Sequence, residues 1–512
     1  DAYNVAIGSS AGVAMTTGVE NTLIGGLAGD ALTTGNENTI IGYTAGGAMT
    51  VANYNTVLGR SALSSSVDGA HNTAIGYNAL QDYEGGANEG NNTAVGSKSQ
   101  LNATTGTSNT SIGTIAFGTG VLTGVGNVAV GYATGNQMTA GTKNTLLGAS
   151  AGESLTIGNN NVAVGYESLG LSVDGDANTA VGYQSLKNYE DGDGNGHNTA
   201  VGSKSQLNAT TGEFNTSLGS LSMGAGVTTG DNNVAIGYQA GEDLTSGHSS
   251  VLIGSGAGQQ LTTGIKNVAV GALALNAENT HGLNVAVGYG ALYQLDAGTD
   301  AYNTAVGYSA GVTMTSGVNN TLVGGLAGSA LTTGVGNVAI GYEALKTEDA
   351  HGKNVAVGYK ALSIQNAGAD GYNVAIGSSA GQVVTTGVQN TIIGGLAGDA
   401  ITTGGYNTLM GVHAGGGLVE GTDNVAIGWS ALKTENAHGG NVAIGKEALK
   451  TLDAGAEGYN VAVGLRAGYL MTTGTHNTLI GANAGDALTT GANNVAMGYG
   501  ALGTEDTGSR NV

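Results

Sequence analysis

Asn21-Thr22-Leu23-Ile24-Gly25-Gly26-Leu27-Ala28-Gly29-Asp30-Ala31-Leu32-Thr33-Thr34-Gly35-Asn36-Glu37 is a 17-residue stretch, and at Asn38 it begins again. With the leading asparagine counted as position 0, this start recurs 30 times between Asn4 and Asn511, Ser250 being the one substitute. Of the 29 intervals, 22 are 17 residues long and the others are 18, 19 or 20. Position 4 is Gly in all 29 complete units, and position 7 is Ala in 23. Regularity on so short a period marks a solenoid, in which each coil touches only its neighbours.

Each unit opens with Val or Thr at position 1 and Ile, Val, Leu or Met at position 3, a short β-branched run. Alternation puts these two on one face of a strand and position 2 on the other. The glycine at position 4 predicts a sharp corner or a positive φ. A second extended piece is expected over positions 7 to 11, followed by a return turn. Two endings share that turn, A-G-x-x-L-T-T-G as at Ala28 to Gly35 and A-L with A-H-G as at Ala344 to Gly352. Helical repeats need longer units, so the predicted fold is all-β, a parallel β-solenoid or β-roll of about 29 coils. Residues 1–512 read as one continuous array, and at about 4.8 Å per coil it spans roughly 140 Å.

Longer copies lie over the short repeat. The stretch from Asn72 matches that from Asn178, and Asn337 to Tyr372 is echoed by Asn424 to Tyr459. Extra residues collect late in the unit, as at Gln81 to Asn91, and so at one edge of the array. Side-chain amides at Asn4, Asn21 and Asn38 are expected to hydrogen-bond from coil to coil, with Gly8, Gly25 and Gly42 stacking at the corner. The array starts within a repeat and stops at Asn511-Val512, which reads as a segment of a longer chain.

Position 2 is Ala, Leu, Ile or Val in 27 of 29 units, the exceptions being Ser111 and Ser217. If positions 1 and 3 face inward, Ala6, Leu23, Ile40, Ala180 and Leu322 form an outward apolar stripe. A monomer tolerates only a few hundred Å² of such surface. Identical chains around a shared axis would cover it, so a homo-oligomer, a trimer first of all, is expected. The alternative is a solitary solenoid with the two faces reversed.

Composition agrees with a thin, small-residue core. The chain holds 96 Gly, no Pro, no Cys and only two Phe, Phe117 and Phe214. No G-X-Y period exists, which excludes collagen. A 40% hydrophobic content argues against disorder. The net charge of −22 repels phosphate backbones, so nucleic acid is not an expected partner. No apolar run is long enough to span a membrane.

The N-x-A-[IV]-G unit, with a small residue three places further on, resembles the head repeats of trimeric autotransporter adhesins. The wording N-T-A-V-G-Y at Asn178 to Tyr183 and Asn303 to Tyr308 is similar to the glycine-rich repeats of phage tail fibres. The likeness covers the whole chain. The first family implies left-handed β-rolls, three chains around one axis; the second implies a virion fibre, often ending in a self-cleaving chaperone domain. The adhesin heads repeat on a shorter period and carry Ser after the Asn, which this chain lacks.

G-x-S-x-G occurs at Gly8, Gly148, Gly307 and Gly377, but the repeat itself supplies those glycines and no helix is expected to follow. Asp191-Gly192-Asp193-Gly194-Asn195-Gly196 alternates oxygen donors as calcium loops do, although the twelfth position is Gly202. A weak calcium site on Asp191, Asp193 and Asn195 is set against a solvated acidic turn; no other cofactor is expected. His281, His351 and His438 share position 14 and read as turn residues. Position 5 is Tyr in 11 units, with Trp429 in the same place, which invites glycan stacking against half-buried corner packing. Thr pairs such as Thr33-Thr34 and Thr402-Thr403 invite ice binding, but their longest unbroken row is Thr210, Thr228, Thr245 and Thr262.

The expected function is therefore structural and not enzymatic. It is the shaft of an extracellular attachment fibre of the phage tail-fibre kind, carrying a recognition tip encoded elsewhere. The alternative is a bacterial surface adhesin or self-assembling filament, and a minor one is an ice- or glycan-binding solenoid. The expected partners are sister chains and, through other regions, a host-surface glycan or protein.

Overall fold

The computed structural model describes residues 2–86, 89–190 and 195–512. Contacts divide the chain into two units, Asp1–Thr263 and Gly264–Val512. Among the described residues there is no helix, and every coil contributes one three-residue strand. The first unit runs from β1 (Val5–Ile7) to β15 (Val251–Ile253), the second from β16 (Val268–Val270) to β29 (Val495–Met497). Within each unit successive strands pair in parallel and in register. Val5 pairs with Thr22, Ala6 with Leu23 and Ile7 with Ile24. Where the interval is 20 residues the register survives, as in Thr179 against Thr199, so the insertions lie outside the strand. The chain is an all-β parallel β-solenoid of about 29 coils on a 17-residue repeat.

The position-4 glycines make the corner. Gly25 has φ +135°, and a Cβ on it would stand 2.5 Å from the carbonyl oxygen of Gly42 in the next coil. Both the conformation and the close approach require glycine. Beyond the corner the expected second strand is absent. Leu27 and Gly29, at positions 6 and 8, have φ of 57° and 54°, and left-handed residues at alternate places interrupt an extended run. A non-glycine residue there costs roughly 1–2 kcal/mol. Coil-to-coil hydrogen bonds offset that cost: Leu27 N–H donates to Ser9 O at 2.8 Å and Gly29 N–H to Ala45 O at 2.9 Å. The return side is thus a stack of turns, laddered like a sheet without being one.

The two strand faces are the reverse of the first expectation. Leu23, Ile40, Ala180 and Leu322 are fully buried in the chain's own core, while Ala6 is exposed in the end coil. They are not an oligomer interface. The corner turns the chain toward the position-2 side, so position 7 (Ala28) and position 11 (Leu32) close over Leu23. Positions 1 and 3 face outward.

That core explains the two endings. In A-G-x-x-L coils the glycine at position 8 leaves room for large neighbours; a Cβ on Gly29 would lie 3.2 Å from Leu23 Cδ2. Leu32 at position 11 then fills the layer. In A-L coils position 8 itself is the buried leucine, as at Leu345, Leu432 and Leu449. Position 2 is then nearly always Ala, as at Ala339, Ala426 and Ala443. The two serines at position 2 have dedicated partners. Ser111 Oγ lies 2.5 Å from Ser99 Oγ and accepts from Gln100 Nε2 at 2.9 Å. Ser217 repeats this with Ser205 and Gln206.

The asparagines run as a buried ladder. Asn21 donates to Asn4 Oδ1 through its backbone N–H at 2.8 Å and through Nδ2 at 3.1 Å. Asn38 does the same to Asn21 Oδ1, at 2.9 and 3.0 Å. Each Nδ2 also donates across its own coil, Asn21 to Gly35 O and Asn38 to Ala52 O, both at 2.8 Å. One side chain ties three points of backbone together, and no apolar residue could take its place without orphaning them.

Candidate functional site

The outward strand face carries aliphatic side chains in every coil. Leu147, Leu218, Ile376 and Met410, all at position 3, are exposed. After the corner, position 5 places a column of exposed tyrosines, and adjacent members stack. Tyr166 and Tyr183 have ring centroids 5.7 Å apart at 11°, and Tyr289 with Tyr308 and Tyr342 with Tyr359 repeat the arrangement. Cations lie over these rings: Arg60 over Tyr43, Lys360 over Tyr359, and Lys446 over Trp429. Away from the end coil these tyrosines are about half exposed, from 47% at Tyr77 to 60% at Tyr308.

A second aromatic column stands directly before the Asn, where the sequence reading singled out nothing. Tyr54 stacks on His71 at 4.7 Å, His197 on Phe214 at 5.2 Å, and Tyr459 lies 5.4 Å from His476. The signal was available, since Tyr3, Tyr54, Tyr302, Tyr372, Tyr406 and Tyr459 all precede the asparagine. These residues have left-handed φ, 59° at Tyr54 for example, which turns the rings away from the core.

In the second unit, buried carboxylates meet the position-14 histidines. Glu278, Glu348 and Glu435 occupy position 11, where A-G coils place a core leucine, and all three are fully buried. Each caps the turn that follows: Oε1 accepts the backbone N–H of His281, His351 or His438 at 3.1, 3.1 and 3.2 Å. His351 Nδ1 and His438 Nδ1 stand 3.5 and 3.6 Å from the same oxygens. A further carboxylate completes each group: Asp296 with Glu278 and His281, Asp349 with Glu348 and His351, Asp453 with Glu435 and His438. Burial pushes the Glu278 carboxyl up to about 7 and raises those of Glu348 and Glu435, against the N–H groups that hold them down. The histidines, read from sequence as dispersed turn residues, are each a half-buried member of such a group, and Asp296 and Asp453 are the exposed ones.

The remaining sequence candidates sit as follows. Ser10, Ser150, Ser309 and Ser379 of the G-x-S-x-G matches are left-handed position-6 residues, with φ from 51° to 57°. Their role is in the turn ladder; Ser150 N–H donates to Tyr132 O at 2.9 Å. In most pairs the first threonine spends its hydroxyl on the next coil, Thr33 on Thr50 O at 3.0 Å and Thr402 on Val419 O at 3.1 Å. Thr228 is buried. The row is therefore not a free hydroxyl lattice for ice. Asp191 and Asp193 of the calcium loop lie outside the described residues, and Asn195 is exposed.

No protein-family model and no curated protein matches the chain. No helix among the described residues is long and apolar enough to cross a membrane.

Proposed function

We propose that the chain is the structural shaft of an extracellular attachment fibre, a homotrimer without catalytic activity, with recognition carried by regions outside these residues. The observation that carries this reading is how the polar chemistry is used. The asparagine amides and the paired threonine hydroxyls run from one coil to the next, which resists extension and leaves few groups for a substrate. The outward aliphatic column supplies the self-association that position 2 cannot. Position 3 puts an aliphatic or Met side chain on the outer face of each coil, with Leu147 and Leu218 among the exposed ones, and apolar surface of that extent calls for a cover.

A paired substitution tests association against folding. Leu147→Lys with Leu218→Lys should lower the mass measured by light scattering and leave circular dichroism unchanged. Ala180→Asp should unfold its coil whatever the assembly, since a buried unpaired charge costs about 3–5 kcal/mol. A wild-type chain that runs as a monomer at all concentrations would refute the assembly. Electron microscopy of the source should find the chain in fibres on virions.

The stacked, exposed tyrosines favour a second reading, an adhesin or filament whose own flank makes the contacts. Glycan-array binding lost on Tyr166→Ala with Tyr183→Ala would select it over the shaft.

A further inference from the structure

We propose that the three Glu-x-x-His turns of the second unit each bind a divalent transition-metal ion, zinc by the chemistry of its ligands. In each, the ion would be held by the buried glutamate, the histidine and one aspartate. The glutamates motivate the idea. A carboxylate placed where a core leucine belongs loses its hydration, a cost of several kcal/mol unless it is compensated. Turn capping uses only Oε1. Glu278 Oε2 and Glu348 Oε2 are buried without a hydrogen-bond partner, as are His351 Nδ1 and His438 Nδ1. Glu435 Oε2 accepts the Ala454 N–H at 3.3 Å. Buried acceptors left without a partner are what a cation would satisfy.

The geometry is close to a ligand set. In each group the three ligand atoms lie within 4.8 Å of one another. A tetrahedral zinc needs ligand atoms about 3.3 Å apart. His351 Nδ1 and His438 Nδ1 stand 3.5 and 3.6 Å from the capping Oε1, within a few tenths of that, so this oxygen would be shared between the turn N–H and the ion. Imidazole with two carboxylates suits zinc, water taking the open position.

Internal repetition gives an independent argument. The third ligand changes coil while its charge is kept. Where position 12 of the glutamate's own coil is Asn279 or Asn436, the same position one coil later is Asp296 or Asp453. Where the glutamate's coil has Asp349, the next has Asn366. A solvated acidic turn has no need of this exchange; a site requiring one aspartate does. Glu505 supplies the contrast. It too stands at position 11 and caps its turn, Gly508 N–H to Oε1 at 2.7 Å, but the place of the histidine is taken by Gly508 and no such group forms. Capping therefore accounts for one oxygen of the glutamate and leaves the histidine and aspartate unaccounted for. In the two groups with Asp296 and Asp453, the ion would clip adjacent coils together.

The full chain, stripped with chelator, is titrated with zinc chloride by calorimetry and with cobalt chloride by visible absorption. The expected result is three equivalents bound, one per group, with the intense visible bands of tetrahedral cobalt. Glu435→Gln with His438→Gln should lose one of the three. Asp453→Asn, an exposed substitution that cannot threaten the fold, should weaken that same site. His248→Gln, outside the groups, should change nothing. Absence of saturable binding would overturn the proposal, as would an unchanged stoichiometry in both the double variant and Asp453→Asn. The test reads neither oligomer nor fibre, so its failure leaves the shaft reading standing.

Discussion

The coil from Asn21 to Glu37 and the coil from Asn424 to Gly440 have the same strand position, the same corner and the same ladder asparagine, yet only the second holds a buried carboxyl. In the first, Gly29 at position 8 makes way and Leu32 at position 11 fills the layer. In the second, Leu432 at position 8 fills it, and position 11 is released to Glu435. One leucine serves each core from either of two places. A solenoid can thus acquire a polar site inside a coil without losing its apolar layer. The two-ending grammar of the sequence is a choice about where that leucine stands.

The largest effect should come from what both coil types share. A Cβ on Gly165 would lie 2.4 Å from Gly182 O, at a φ of +134° that side chains rarely adopt. Gly165→Val should cost about 3–5 kcal/mol, strain and overpacking together, with hydrogen exchange rising in the flanking coils first. An unchanged urea-unfolding curve would mean the corner can relax, and the comparison would lose its fixed frame.

The exchange of leucines can then be tested directly. Leu432→Gly opens a cavity and should cost about 3–4 kcal/mol. Adding Glu435→Leu rebuilds the A-G-x-x-L ending in that coil, and the double variant should recover more than half of the loss. Neighbouring position-2 residues Ala426 and Ala443 leave room for the new side chain. If the double variant is less stable than the single one, positions 8 and 11 do not fill the same space.

Period, corner and ladder could all be read from spacing, because glycine at position 4 and asparagine at position 0 are tied to backbone geometry. The inside and outside of the strand could not. Alternation separates two faces without saying which is buried, and here both are apolar, Val or Ile on one and Ala or Leu on the other. The clue lay in threonine, whose hydroxyl is frequent at position 1 and absent from position 2; a face that admits Thr22, Thr39 and Thr56 is the solvated one. The return side misled because Ala28 and Leu32 suggest a strand while Leu27 gives no sign of its left-handed φ. The histidine groups escaped in part because the aspartate of two of them, Asp296 or Asp453, comes from the next coil. Glu435 and Asp453 meet only when coils stack, and the polar residue at position 11 was informative only once that position was known to be core.

The smallest effect separates two glutamates one coil apart. Glu435 is raised by burial, whereas Glu447 is drawn down to about 2 by hydrogen bonds from Lys450, first, and then Arg466. Its oxygens lie 2.7 Å from Lys450 Nζ and 2.8 Å from Arg466 Nε. What covers Glu447 is its own cationic partners, a half-buried Lys450 and a half-exposed Arg466, so water reaches the pair and screening keeps the contribution small. The sign is fixed nonetheless. A carboxyl whose folded pKa is lowered stabilises the fold above its ordinary value near 4.5, and that contribution disappears as pH falls through about 2. The melting temperature of the parent should therefore exceed that of Glu447→Gln slightly at neutral pH, with the gap closing on acidification. A gap that widens below the ordinary carboxylate range would show that Glu447 is governed by burial, as Glu435 is, and the contrast between the two would be lost.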